Sequence, residues 1–371
     1  MQKISGSRIV TFDLLRGYFI LIIIIDHLQR WPGIFDWFTG QGRLWVSAAQ
    51  GFIIISGVMI GLIRAYKDKS LPLKIVTRKL WKRAFILYLW SIATSMIALV
   101  LVSYWQTTFS PYPPGTDSIN NPDNILGAVL QFANLSAVFG WTNFLGLYAV
   151  FLFFSPLAIW LLRTGKWWLL LIISLSIWGV GIGRDNMFMT WQILFFSGSI
   201  FGYYYNLLQP KFEAYKYKNI INNTIVSITI IMLAISTLII FGWPFVKSSF
   251  SPISLDQFIN FRTVIDPYFN RADLPLTMFA VSMIVFLGIF IIFNKFQHQI
   301  YNKLGWLLLP FGRHSLFVYI LQGIIVVIVA GLIPKQSNII INALITILTI
   351  LVIWALTTKP AFKFLHKIIP S

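Results

Sequence analysis

The chain has 371 residues, of which 57% are hydrophobic and only 11% charged, with a mean hydropathy of +0.77. Soluble domains carry about 25% charged residues and could not hide this much apolar side chain, so a soluble fold is excluded and one membrane domain over 1–371 is expected. The excess of 29 Lys+Arg over 11 Asp+Glu raises the question of nucleic acid, and the absence of Cys excludes disulfides, thiolate metal sites and Cys nucleophiles.

A hydrocarbon core of about 30 Å asks for roughly 17–25 apolar residues per helix. Ten runs qualify in chain order: Phe12–Leu28, Leu44–Ile63, Ala84–Tyr104, Asn143–Leu162, Trp167–Gly183, Thr190–Leu208, Ile220–Trp243, Pro275–Phe293, Ser315–Ile333 and Ile339–Leu356. The first lacks a small-residue cleavage site and carries Asp13, Arg16, Asp26 and His27, so it is expected in the mature protein and not as a signal peptide. Asn124–Val138 is shorter and holds Gln131, Asn134 and Ser136, which reads as interfacial or re-entrant. The fold class predicted is an all-α integral membrane protein, a bundle of about ten transmembrane helices with both termini cytoplasmic.

The charges support this alternation. With the N-terminus inside, the inside segments hold Lys3, Arg8, Arg64 to Arg83, Arg163, Lys166, Lys211, Lys216, Lys218, Lys295, Lys303, Arg313, Lys359, Lys363 and Lys367. The outside segments hold Arg30, Arg43, Arg184, Lys247, Arg262, Arg271 and Lys335, a bias of about three to one. The basic balance is therefore largely topology, and no nucleic-acid partner is expected. Two outer loops are long, Trp105–Thr142 and roughly Pro244–Leu274, and loops of that length are more often functional than idle. The pairs Gly57/Gly61 and Gly198/Gly202 have the spacing that lets helices pack closely.

Charged groups within a span are costly and usually face the bundle interior. On a helix, Arg16 and His27 lie within about 20° of each other and Asp13 within about 40°, so one polar stripe runs from the cytoplasmic end to the outer third of the membrane. Asp13 and Arg16 are spaced to neutralise each other. The stripe reads either as an anchored helix with a structural His or as a catalytic line ending in the one His deep in a span. The second cluster, Arg78, Lys79, Lys82 and Arg83, reads either as a positive-inside stop signal or as a site for a cytoplasmic polyanion such as a nucleotide phosphate. No P-loop, HExxH or GxSxG motif and no acidic metal cluster is present, and Gly179, Gly181 and Gly183 lack a Rossmann context.

With these residues in view, the chain resembles the membrane acyltransferase-3 superfamily, and most closely its OpgC-like branch. The resemblance is carried in order by FDLLRGYFILIIIIDH (12–27), SAAQGFIIISGVMIGL (47–62), RKLWKRAFILYL (78–89), LYAVFLFFSPLAIWLL (147–162), TWQILFFSGSIFG (190–202) and LGWLLLPFGRHSLFVYILQ (304–322). It implies a ten-helix bundle in the cell membrane that transfers an acyl group, succinyl or acetyl, from cytoplasmic acyl-CoA to an extracytoplasmic glycan or glycolipid. The family often has Glu where Gln50 stands here.

On that reading His27 is the general base, since imidazole titrates near neutrality, with Asp13 and Arg16 on its stripe. Acyl-CoA is a co-substrate and no bound cofactor or metal is expected. Its phosphates would meet Arg78, Arg83, Lys79 and Lys82. Arg184, Asp185, Trp191 and Gln192, at the outer ends of their spans, could line the acceptor side. Two other classes stay open: a transporter or flippase of a glycan- or lipid-linked substrate, and a non-catalytic partner of a glycan machine. The transporter reading would favour internal repeats and broken helices, and no convincing repeat is visible.

Overall fold

A computed structural model describes residues 9–106, 125–247, 253–334, 337–359, 362, 364, 365 and 369. Lys3, Arg8, Lys335, Lys363 and Lys367 of the charge assignment, and 107–124 of the first long outer loop, lie outside the described residues. In chain order the helices are α1 (Val10–Leu28), α2 (Asp36–Thr39), α3 (Ala48–Met59), α4 (Leu73–Gln106), α5 (Ile125–Ala133), α6 (Asn143–Arg163) and α7 (Trp167–Gly181). There follow α8 (Met187–Glu213), α9 (Lys218–Val246), α10 (Leu255–Ile265), α11 (Leu276–Lys295), α12 (Gln297–Arg313), α13 (Ser315–Leu332) and α14 (Ile339–Thr358). No strand occurs among the described residues.

Seven helical segments are long and apolar enough to cross a membrane: Ala48–Ser70, Leu73–Tyr104, Gly140–Arg163, Lys218–Gly242, Leu276–Lys295, Ser315–Leu332 and Ile339–Thr358. They coincide with seven of the ten expected spans, and the chain is an all-helical, multi-pass membrane protein. The other three runs are helical too, but each falls short for a physical reason. α1 carries Asp13, Arg16 and Asp26 within 19 residues. α7 is 15 residues long. α8 dilutes its apolar surface with Thr190, Gln192, three successive Tyr at 203–205, and Asn206.

The expected interfacial stretch is α5, whose 9 residues are too few to cross. The second long outer loop is not irregular throughout. α9 continues to Val246, and α10 is a helix started by a capping box between Ser254 and Gln257. The segment between the eighth and ninth expected spans folds as α12, which buries Leu308, Leu309 and Phe311.

Contacts divide the chain into two compact units. Unit 2 comprises Arg43–Arg78 and Phe154–Phe296. Its centre is the packing of α3, and of the wider π-type turn Ile60–Tyr66 that continues it, on α8. The two glycine pairs meet there. A Cβ on Gly57 would strike the carbonyl of Phe195, one on Gly61 that of Ser199, and one on Gly202 that of Val58. Only hydrogen fits at these crossings, so the backbones touch, as the spacing predicts. Arg163 clasps the turn after Tyr66 by donating to the carbonyls of Arg64 (2.8 Å), Asp68 (2.6 Å) and Leu71 (2.8 Å). The Ala48–Ser70 span is 72% buried and Lys218–Gly242 only 17%, so α9 offers most of its apolar surface outward. In lipid that surface needs no further cover.

Unit 1 comprises Met1–Gly42, Lys79–Phe153 and Gln297–Ser371. It packs α1 between α12 and α13. Gly17 faces the backbone of Leu308, and Gly312 faces the carbonyl of Asp13, so α1 and α12 approach as closely as α3 and α8 do. At the other end of α1, buried Arg30 donates to the carbonyls of Val329 (2.9 Å), Ile333 (2.7 Å) and Pro334 (2.9 Å), closing the end of α13. Burial lowers the pKa of this guanidinium. The three carbonyls are what make a buried cation tolerable.

Candidate active site

The polar stripe of α1 is matched by a second stripe on α13. Ser315 and Gln322 are seven residues apart, two helical turns, and so share one face. Arg16 donates from Nη2 to Ser315 Oγ. Eleven residues further along α1, about 16 Å, His27 Nδ1 lies 3.0 Å from Gln322 Oε1. The two helices therefore run in the same direction, with a polar pair at each end of their contact. Asp13, 5% exposed, turns towards Arg313, whose Nε lies 4.0 Å from its Oδ2. The expected neighbour Arg16 is engaged by α13 instead. The Arg313 side chain is 47% exposed, so this pair is weak, roughly 0–1 kcal/mol.

Around His27 the structure builds a cage of three side chains from two elements. Gln322 is fully buried. The Trp141 indole, from the single turn Gly140–Thr142, stacks on the imidazole with centroids 4.3 Å apart and planes 18° apart. The Tyr319 ring meets it edge-on at 6.5 Å. Because Gln322 Oε1 is an acceptor, it accepts a hydrogen bond from Nδ1–H, which keeps the proton on Nδ1 and leaves the lone pair on Nε2. His27 itself is partly covered. Gln322 Nε2 and Trp141 Nε1 are buried N–H groups without a partner among the described residues. A buried donor left unused costs about 1–3 kcal/mol, so these two mark a place suited to an oxygen acceptor. A base and two donors on three elements can deprotonate a hydroxyl and receive a carbonyl oxygen.

The basic cluster opens α4. At 34 residues this helix is about 50 Å long, well beyond the roughly 30 Å hydrocarbon thickness, so its first turns project past it. Arg78, Lys79 and Lys82 are exposed there. Arg83 is half-buried, and its Nε has no partner among the described residues.

The four expected acceptor-side residues lie in unit 2 and divide. Arg184 and Asp185 are exposed in the turn between α7 and α8. Trp191 and Gln192 are 4% exposed and bonded internally. Trp191 Nε1 donates to the Arg271 carbonyl at 2.7 Å. Gln192 accepts from Ser174 Oγ at 2.5 Å and donates to the Ser174 carbonyl at 2.7 Å. These contacts hold α8 against α7 and the chain before α11, and they leave the indole little surface for a sugar.

A family model described as OpgC protein matches residues 8–361. The chain belongs to the OpgC family. No curated protein and no solved structure matches it. Membership of OpgC carries a membrane-associated, acyltransferase-like role. In this OpgC chain, Gln50 is fully buried at the start of α3, where its Oε1 accepts from the Ser47 backbone N at 2.6 Å. That is the reciprocal half of a capping box, a task Glu performs equally well. The departure at this position therefore preserves the helix start.

Sequence reasoning did not single out Gln322, Trp141, Ser315 or Arg313. Gln322 had a usable signal, an amide inside the apolar run LFVYILQG (316–323), which carries the same kind of burial cost as His27. Trp141 had none, because an aromatic beside a span is ordinary at a membrane interface.

Proposed function

We propose that this OpgC protein moves an acyl group, succinyl or acetyl, from cytoplasmic acyl-CoA to a hydroxyl of an extracytoplasmic glycan or glycolipid. The observation that carries the reading is the His27 cage: a base with its tautomer set by Gln322, beside two buried N–H donors. His27 Nε2 takes the proton of the acceptor hydroxyl as its oxygen attacks the thioester carbonyl. The N–H groups of Gln322 and Trp141 are the donors available to the oxyanion that forms. The C–S bond breaks, and the proton on His27 passes to the departing CoA thiolate. Exposed Arg78, Lys79 and Lys82 and half-buried Arg83, at the start of α4, receive the CoA phosphates, and the pantetheine arm follows the Asp13–Arg16–His27 stripe. Arg16 and Asp13 hold the inner end of that stripe in place. On the acceptor side, exposed Arg184 and Asp185 suit contact with a glycan, while buried Trp191 and Gln192 support the helices behind them. The protein sits in the cell membrane with ten spans and both termini cytoplasmic.

The test is CoA release by purified protein from candidate acyl-CoAs, with and without glycan. His27→Gln should lower turnover by roughly 10²–10⁴-fold while acyl-CoA binding persists. Full transfer by a well-folded His27→Gln protein refutes the mechanism.

A further inference from the structure

Unit 2 contains a pocket of about 1090 Å³ between α8, α9 and α11. It is slightly larger than ordinary small-molecule sites, about 300–1,000 Å³. Its lining changes character along the helices. Ile200, Phe201, Val226 and Leu287 lie furthest from the helix ends, while Gln209, Glu213, Asn222, Asn223, Asn294 and Lys295 lie close to those ends, beside Phe212, Ile221 and Phe296. From Ile200 to Glu213 is thirteen residues, about 20 Å of helix. That is the depth of one bilayer leaflet with its headgroup zone, half of about 40–45 Å. An apolar shaft of leaflet depth with a polar rim matches a molecule with a long chain and a polar head.

The rim also has a sign. Glu213 is paired with Lys218 at 3.0 Å. Lys295 lies over the Phe296 ring at 5.5 Å and forms no ion pair among the described residues. With Glu213 neutralised by Lys218, Lys295 leaves the rim one positive charge beside five amides, those of Gln209, Asn219, Asn222, Asn223 and Asn294.

We propose that this pocket holds one anionic glycerophospholipid of the leaflet that faces these lysines, with its chains against α8, α9 and α11 and its phosphate on Lys295, Asn222, Asn223 and Asn294. The pocket shares no lining residue with the His27 cage, and the proposal does not depend on acyl transfer. Such a lipid fills the gap beside α9, the most outward-facing of the spans, and makes the fold of unit 2 sensitive to membrane composition.

The test uses the full chain, delipidated in detergent and titrated with phosphatidylglycerol or phosphatidylcholine of identical chains, with bound lipid counted by native mass spectrometry. One phosphatidylglycerol per chain, held roughly tenfold more tightly than phosphatidylcholine, is expected from a charge-assisted contact. Lys295→Gln should erase the preference, and Val226→Trp should exclude both lipids by filling the shaft. No bound lipid, equal affinity for the two, or a preference that survives Lys295→Gln overturns the proposal. Where Val226→Trp does not fold, phosphatidylglycerol with a diazirine at its chain end replaces it. Cross-links at 200–208, 225–226 and 287–292 support the site, and cross-links only elsewhere overturn it.

Discussion

Replacing Gln322 with Leu separates a catalytic cage from a structural one. The change keeps the side chain's approximate size and removes the acceptor that lies 3.0 Å from His27 Nδ1. In the fully buried surroundings of Gln322, an Nδ1–H left without an acceptor costs about 1–3 kcal/mol. The proton then favours Nε2, the atom needed as the base. At about 1.4 kcal/mol per factor of ten, the productive tautomer falls by roughly 5- to 150-fold. Because the variant also loses the Gln322 N–H available to the oxyanion, we expect Gln322→Leu to lower kcat by at least about 10- to 100-fold while the KM for acyl-CoA stays near its original value. Single-turnover CoA release in detergent, with acyl-CoA binding measured in parallel, reads both quantities. Gln322→Glu is the complementary variant. A carboxylate facing Nδ1 stabilises the imidazolium and raises the pH at which His27 loses its proton. Activity should then be depressed at low pH and recover at higher pH than in the parent. A kcat within twofold of the parent in Gln322→Leu, together with an unshifted pH profile in Gln322→Glu, would refute the tautomer argument.

Changing Arg78 and Arg83 to Ala should raise the KM for acyl-CoA by about tenfold or more and leave the acceptor KM unchanged, because phosphate contacts by Arg are charge-assisted; unchanged acyl-CoA affinity reduces the cluster to a topology signal. Gly17→Ala places a methyl on the Leu308 backbone, so α1 and α12 must part, and overpacking of this kind costs about 1–3 kcal/mol. A thermal unfolding midpoint equal to the parent's would contradict that packing. Reporter fusions after Lys69 and within 111–124 should report opposite sides of the membrane, and finding both on one side would sink the ten-span topology.

Much of the fold was legible because lipid imposes a simple rule. Every backbone polar group must be satisfied within its own helix, so a run of apolar residues long enough to cross announces itself. Seven of the expected spans pass that standard, and α1, α7 and α8 are helices where the runs predicted them. The glycine spacing at 57/61 and 198/202 was equally legible, since small residues four apart lie on one helix face. The helices outside that rule were not. α12 and α10 are amphipathic and α10 is short, so neither has the continuous apolar run on which the reading depended.

What the sequence by itself determined is the membrane class, the family, and the stripe that makes His27 the residue to watch, because one helix's geometry is enough to align Asp13, Arg16 and His27. Which groups those residues face was decided only in three dimensions. Asp13 turns to Arg313 and Arg16 to Ser315, and His27 is held by Gln322 and covered by Trp141, partners that lie 114–300 positions away along the chain. Trp191 and Gln192 show the same limit from the other side. Their place at a span end suggested the acceptor side, and the fold gives their side chains bonds to Arg271 and Ser174. A helix wheel gives a side chain's direction but not what another helix brings to meet it, and that meeting sets the proton on His27.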